Sequence, residues 1–425
     1  MASGRRVIIV TLLICFLLNP ACAKQNKVVV VSMDGFRHDY LDMAKSQGRN
    51  ISAFEDLYNR GFRGRLVPVM PTITFPTHFS AATGRHVENH GIMNNVFYSP
   101  QQNATFSYKN PENAQESQWW NYNKNEPIWM TNERLGHKSC IFFWPGSSSS
   151  YNGNVPTKSK LVYNSSVPFK SRVEQVINWM REDDEITLCL LYMREPDYTG
   201  HAYGPDSKQV MDRVEELNDI VDYLVHLVNT TPNLRDSVNI ILTSDHGMAE
   251  VSKENGGPTV QEMHTKLIQA NLTGADIYLK DDLPAYYHYA NSSRSPPLVV
   301  IAHRGYSIFT SPPKYHLKGD HGYDKEDTQM HAFLVAAGPN LNHVDNIQVI
   351  QQIDIYPLVC GLLNLAEPNK IDGNMRRVAD FIDPKPSDEF VRKYMFHAEG
   401  GPPPGASVKT SFGVLSMLVL LVYLV

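Results

Sequence analysis

Three short apolar runs stand out along the chain, and each leads into polar residues with useful chemistry. Lys27-Val28-Val29-Val30-Val31-Ser32 leads into Met33-Asp34-Gly35. The run from Ile186 to Leu191 leads into Glu195-Pro196-Asp197, and that from Val238 to Thr243 leads into Asp245-His246-Gly247. Continuous aliphatic runs bounded by turn residues suit buried strands of a largely parallel sheet. Between them, Ser171 to Arg181 and Lys208 to Val228 repeat apolar residues with the period of an amphipathic helix. Strands alternating with helices predict an α/β fold, a central, largely parallel sheet flanked by helices. Ligands of such folds gather beyond the carboxyl ends of the strands. The Asp and His residues above fall there.

The ends of the chain are patterned differently. Arg5 and Arg6 precede an apolar run, Val7 to Leu18, and then Ala21-Cys22-Ala23. This is the layout of a secretory signal peptide over residues 1–23; the run is short for a spanning anchor, the other reading. Phe412 to Val425 is apolar and uncharged, and follows a proline and small-residue stretch, Gly400 to Ser407, with Lys409 between. That arrangement suits a glycolipid (GPI) attachment signal, with Gly400, Gly405 and Ser407 as candidate attachment residues. An ordinary membrane tail is the alternative. The expected organisation is therefore a signal peptide (1–23), one folded domain (24–385), a stalk and attachment region (386–411) and a hydrophobic tail (412–425).

Asn-x-Ser/Thr sites fall at Asn50, Asn103, Asn164, Asn229, Asn271 and Asn291. With a signal peptide they point to a glycosylated chain on the extracellular face of the plasma membrane. Outside the signal segment only Cys140, Cys189 and Cys360 remain, enough for one internal disulfide; Cys189 and Cys360 sit in apolar runs and read as core thiols. The formal net charge of −5 argues against general nucleic-acid binding. Nothing in the pattern speaks to oligomeric state.

The candidate ligands at the strand ends and turns are Asp34, Asp197, His201, Asp245, His246 and His321. A mixed carboxylate and imidazole set suits zinc. Asp197 and His201 share one face if their stretch is helical, and His321 is flanked by glycines in Gly319-Asp320-His321-Gly322. Singly, each is ordinary: an Asp-His pair serves as a surface or capping feature, and Asp34 could cap a helix. Met70-Pro71-Thr72-Ile73-Thr74-Phe75-Pro76-Thr77-His78 adds a threonine whose hydroxyl becomes a nucleophile once metal coordination lowers the cost of losing its proton. Alone it reads as an edge-strand threonine before a turn.

Six motifs then appear in order: SMDGFR at Ser32–Arg37, TFPTHFSAATG at Thr74–Gly84, NHGIMNN at Asn89–Asn95, EPDYTGHAYGP at Glu195–Pro205, SDHGM at Ser244–Met248 and GDHGYD at Gly319–Asp324. Together they resemble the ectonucleotide pyrophosphatase/phosphodiesterase family of the alkaline phosphatase superfamily, in its short single-domain branch, over about residues 27–365. The resemblance implies an alkaline-phosphatase-like fold and two zinc ions. One would be held by Asp197, His201 and His321, the other by Asp34, Thr74, Asp245 and His246. It implies Thr74 as nucleophile, forming a phosphothreonine that water hydrolyses, and Asn95 as a phosphate-oxygen donor. Phe75 and Tyr163 would clamp a nucleobase, and Trp144, in Trp144-Pro145-Gly146, would lie near the pocket.

The chain departs from the family in places. Thr77 stands where Asn is frequent, Ile73 and Val96 where some members carry Lys, and the stretch after Met248 is shortened and lacks a cysteine pair. Fewer cations weaken selection for a polyphosphate tail. The expected function is an extracellular zinc-dependent phosphodiesterase/nucleotide pyrophosphatase acting on nucleotide or other small phosphodiesters. A choline-type glycerophosphodiester or lipid phosphodiesterase is the alternative, since aromatics also attract quaternary ammonium groups. An inactive cell-surface adhesion protein is the alternative of another class.

Overall fold

The structure, a computed structural model, describes residues 25–160, 162–251, 274–308 and 317–395. The signal segment, the C-terminal tail, the candidate attachment residues and Asn271 lie outside the described residues. An eight-stranded sheet forms the centre. In chain order its strands are β1 (Lys27–Met33), β2 (Phe62–Val67), β3 (Lys138–Phe142), β4 (Lys158–Lys160), β5 (Ile186–Met193), β6 (Val238–Thr243), β7 (Ala332–Ala337) and β8 (Val344–Gln351). Across the sheet they run β8-β2-β7-β6-β1-β5-β3-β4. β1 pairs in parallel with both β5 and β6. Only β7 runs against its neighbours, β2 and β6.

The three apolar runs thus become the three adjacent central strands. All seven residues of β1 are buried, and its side chains alternate between two cores. Val29 and Val31, with Cys189, Leu191, Ile240 and Leu242, face one core. That core is covered by α1 (Tyr40–Ser46), α2 (Ser52–Arg60), α5 (Phe169–Glu182) and α7 (Lys208–Thr230). Val28 and Val30, with Leu188, Leu190 and Ile241, face the other. It is covered by α3 (Thr74–Thr83), α4 (Ile128–Arg134) and α8 (Ile355–Leu362). A short helix, α6 (Asp197–Tyr203), lies after β5. In α7 the buried Val210, Val214, Leu217, Val221, Leu224 and Val228 form one stripe, and the Ser207 hydroxyl accepts from the Val210 N–H to cap it. Each such side chain contributes roughly 1.5–3 kcal/mol by leaving water.

Two features differ from the sequence reading. Cys189 is not a free core thiol: β3 and β5 are neighbours, Cys140 and Cys189 are register partners, and they form a disulfide with Cα atoms 4.5 Å apart. Cys360 is free and buried in α8. The packed chain also continues beyond residue 385. A last helix, α9 (Asp388–Met395), buries Phe390, Val391 and Tyr394 against the second core because these apolar residues share one helical face. Among the described residues, no helix is long and apolar enough to cross a membrane.

Candidate active site

The carboxyl ends of the central strands carry the carboxylates. Asp34 directly follows β1, Asp245 lies just past β6, and Asp197 opens α6 after β5. Backbone bonds lock the turns after β1 and β5 together: the Asp34 N–H donates to the Met193 carbonyl and the Asp197 N–H to the Asp34 carbonyl, each at 2.9 Å. Gly35 is needed between them. Its φ of +68° is left-handed, and a Cβ there would lie 2.7 Å from the Asp197 Cβ. Its N–H donates to Asp245 Oδ1 at 3.0 Å.

Three imidazoles complete the cluster. Nδ1 of His201 meets the Gly319 carbonyl (3.0 Å), Nδ1 of His321 the Thr72 carbonyl (3.0 Å) and Nδ1 of His246 the Gly247 carbonyl (2.8 Å). A carbonyl only accepts, so each Nδ1 carries a hydrogen, and each Nε2 is the ring atom that faces the carboxylates. His246 Nε2 lies 3.1 Å from Asp245 Oδ2 and 3.5 Å from Asp34 Oδ1. Asp197 Oδ1 lies 3.4 Å from His201 Nε2 and 3.6 Å from His321 Nε2. The His246 and His321 rings stack at 3.7 Å.

Asp34 Oδ1, Asp197 Oδ1, Asp245 Oδ2 and His246 Nε2 are all buried without a hydrogen-bond partner. Buried polar atoms are normally satisfied, so their convergence marks a place for cations. Asp197, His201 and His321 form one set of ligand atoms within 4.8 Å of one another, and Asp34, Asp197 and His246 form a second. The electrostatics agree. Burial, reinforced by Asp245 and Asp197, pushes the Asp34 carboxyl well above its ordinary value. Burial likewise raises Asp197. For Asp245 burial acts upward too, but its neighbours, His246 above all, outweigh it and hold the carboxyl low. Burial opposes the charged form of His246, yet Asp245 pushes it up to about 8. The carboxylates thus draw positive charge to this spot, as a metal site does.

Thr74 is the first residue of α3, at the positive end of the helix dipole. His78, one turn later, holds it there: Nδ1–H donates to the Thr74 carbonyl at 2.8 Å, and Nε2 accepts from the Ser32 hydroxyl at 2.8 Å. His78 Nδ1 also lies 3.4 Å from Asp245 Oδ2, and burial keeps the ring's pKa low. Asn95 Oδ1 accepts the Phe75 N–H at 2.9 Å. That N–H is one of the helix's unsatisfied first-turn donors. The amide oxygen being so engaged, the Asn95 NH₂ remains to serve a ligand.

Thr74, Asn95, Asp34, Asp197, His201 and His321 all line one cavity of about 420 Å³. Phe75 lies on its wall against Tyr108 and Phe106, with ring centroids 5.5 and 5.9 Å apart. Tyr163, 45 % exposed, stands edge-on to Phe143 at 5.1 Å and to Tyr192 at 5.8 Å. Trp144 also lines the cavity but is only 2 % exposed; its Nε1–H donates to the His78 carbonyl at 3.3 Å, and its ring meets His78 edge-on. The described glycosylation candidates, Asn50, Asn103, Asn164, Asn229 and Asn291, are all exposed.

Sequence reasoning missed three residues. His78 was visible inside its motif, one helical turn after Thr74, without a role. Tyr192 donates its hydroxyl to Asp34 Oδ2 at 2.5 Å; a tyrosine at the polar end of an apolar strand was the available signal. Arg172, buried behind Tyr163, gave no signal beyond being a charge on the apolar stripe of a helix.

The comparisons with known proteins converge. The family model described as type I phosphodiesterase / nucleotide pyrophosphatase matches residues 28–275 and 257–324. The Xenopus laevis protein named bis(5'-adenosyl)-triphosphatase enpp4 is 33 % identical over 396 residues, covering 86 % of this chain and 84 % of that protein. Human ectonucleotide pyrophosphatase/phosphodiesterase family member 5 is 33 % identical over 389 residues, covering 84 % of this chain and 78 % of that one. A solved structure of the mouse member 5, in an inactive threonine-to-alanine form with AMP, superimposes with a TM-score of 0.78 at 30 % identity, covering 84 % of this chain and all of that one. On the strength of the family match and of relatives aligned over most of its length, the chain belongs to the ectonucleotide pyrophosphatase/phosphodiesterase family, hydrolases of the alkaline phosphatase superfamily.

Proposed function

We propose that this chain is an extracellular, zinc-dependent enzyme that hydrolyses nucleotide phosphodiester or pyrophosphate bonds through a phosphothreonine at Thr74. The observation that carries this reading is the set of buried, unpartnered atoms of Asp34, Asp197, Asp245 and His246 beside a cleft lined by Thr74 and Asn95. Asp197, His201 and His321 would hold one zinc; Asp34, Asp245 and His246, with the Thr74 hydroxyl, would hold the other. Bound there, the metals supply Lewis acidity and charge neutralisation for the phosphoryl group.

The chain's own residues do the rest. The Thr74 hydroxyl attacks phosphorus and gives up its proton, and the oxygen of the leaving group departs. Water then cleaves the threonine–phosphorus ester and restores the hydroxyl. The Asn95 NH₂ donates to a phosphoryl oxygen where negative charge develops, and the α3 N-terminus favours the anion. Phe75 and Tyr163 stack the base. The mouse relative's AMP complex and its inactive threonine-to-alanine form support both nucleotide and nucleophile.

The choline-type reading is less well supported. The guanidinium of Arg194 lies 4.3 Å from the ring centroid of the cleft-lining Tyr198, and that of Arg172 lies 5.8 Å from Tyr163. Cations already against both rings disfavour a quaternary ammonium group. An adhesion protein would have no use for a complete cluster of orphaned ligands.

The signal-like segment, the exposed glycosylation candidates and the disulfide suit an oxidising, extracellular setting. The uncharged tail supports attachment to the cell surface through a glycolipid. Metal analysis with substrate profiling tests the reading. The purified chain should carry near two zinc ions, lose activity on chelation and prefer nucleotide diesters over glycerophosphocholine. A chain without metal, or one preferring the choline ester, contradicts it.

A further inference from the structure

Tyr163 presents a problem of support. It is 45 % exposed, on the connection between β4 and α5, and a ring so placed gains stacking energy only if something holds it. The support comes from Arg172 in the first turn of α5, whose side chain is fully buried. Its Nη1–H donates to the Tyr192 carbonyl at 2.9 Å, its Nε–H to the Val167 carbonyl at 3.0 Å and its Nη2–H to the Asn164 carbonyl at 3.5 Å. The guanidinium carbon lies 5.0 Å from the Phe143 ring centroid and 5.8 Å from that of Tyr163. Phe143 itself has φ of 66°, a conformation that a bulky side chain keeps only when its surroundings impose it.

Among the described residues Arg172 has no carboxylate partner. A buried charge without a counter-ion is costly, and an aliphatic side chain would fill the same space without that cost. What an aliphatic chain cannot do is join three carbonyls from two segments. Asn164 and Val167 follow Tyr163 on its own loop. Tyr192 is the penultimate residue of the central strand β5, and its hydroxyl donates to Asp34. One planar, multi-donor group therefore spans the aromatic wall and the ligand-bearing strand, a task that suits arginine and not lysine.

We propose that Arg172 is a positioning residue for nucleobase recognition, fixing Tyr163 in register with the reacting centre. The inference rests on the reading of Tyr163 as a base-stacking residue. Its test compares kcat/KM for thymidine 5'-(4-nitrophenyl) phosphate with kcat/KM for methyl 4-nitrophenyl phosphate, which has no base. The ratio is taken within one sample, so partial folding cancels. Tyr163→Ala should lower the ratio roughly five- to hundred-fold, the value of one stacked base. Arg172→Met should lower it by a comparable factor, mainly through KM of the nucleotide. Arg172→Lys should fall between Met and the parent, and it supplies the comparison if the Met variant does not fold. Adding either Arg172 change to Tyr163→Ala should lower the ratio no further.

A parent-like ratio in both Arg172 variants, or a further drop in the double variants, overturns the inference while leaving base stacking intact. A parent-like ratio in Tyr163→Ala overturns the base-stacking reading itself, and this inference with it.

Discussion

Replacing Tyr192 by Phe removes one hydroxyl and leaves the ring in place. That hydroxyl donates to Asp34 Oδ2 at 2.5 Å. Burial, with the Asp34 charge adding to it, pushes the phenol well above its ordinary value, so it is protonated and a donor at any working pH. Asp34 is hard to keep ionised, because burial, Asp245 and Asp197 all push its carboxyl upward; the Tyr192 hydrogen bond pulls the other way. A hydrogen bond to a charged group contributes about 1.5–3 kcal/mol. At 1.4 kcal/mol per factor of ten, that is roughly 10- to 150-fold in any equilibrium that needs the Asp34 carboxylate. Loss of a comparable outer contact costs metal sites about 10- to 100-fold. The ring contacts of residue 192 with His78 (5.3 Å) and Tyr163 (5.8 Å) should persist in Tyr192→Phe. The assay is zinc affinity by chelator competition, with turnover of methyl 4-nitrophenyl phosphate followed as zinc is added back. Affinity should fall by about 10- to 100-fold, and turnover should recover in part at saturating zinc. Affinity and turnover both within about twofold of the parent would refute the reasoning, since losing a hydrogen bond to a buried carboxylate costs more than that.

Other predictions follow from the same geometry. The Cys140–Cys189 bond closes a loop with a sequence separation of 49, so replacing both by Ala should lower stability by up to about 4 kcal/mol in a denaturant titration; a loss near zero would remove the bond from the account. Asn95→Ala should lower kcat about 10²- to 10³-fold with KM little changed, as for loss of one oxyanion donor; a change confined to KM would contradict its proposed role. Burial pushes His331 down to about 4 from its ordinary 6.5. The unfolded chain therefore takes up this proton first as pH falls. The stabilising effect of His331 is complete above about pH 6.5 and is lost as pH falls to about 4. His331→Gln should flatten the decline of Tm across that window, and an unchanged slope would count against it.

The placement of the candidate ligands was legible in the sequence because Asp34, Asp197 and Asp245 each follow an apolar run that could only be a buried strand. Strand ends share one edge of a parallel sheet, so the residues had to meet. The roles of His78, Tyr192 and Arg172 were not legible. His78 meets the Ser32 hydroxyl, Tyr192 meets Asp34 and Arg172 meets the Tyr192 carbonyl, and no local pattern encodes contacts between residues so far apart in sequence. Cys189 read as a core thiol because its run is apolar. Only the adjacency of β3 and β5 brings Cys140 to it, and strand order is not carried by periodicity. The reversed β7 was hidden for the same reason: Ala332 to Ala337 is buried throughout, and a buried apolar strand looks alike in either direction. Beyond Pro384, proline and charge masked the short apolar face of α9.

The central claim is that Thr74 forms the bond to phosphorus. Steady-state turnover of a nucleotide diester by Thr74→Ala, matched to the parent in folded fraction and zinc content, tests it most directly. The other proposed ligands of that metal, Asp34, Asp245 and His246, remain, so zinc content should stay near normal. The account predicts a fall in kcat of roughly three orders of magnitude or more, the scale on which enzymes depend on a covalent nucleophile. Turnover by the folded, zinc-loaded Thr74→Ala chain near the parent rate would contradict it, and a directly attacking water would then have to take the place of the threonine.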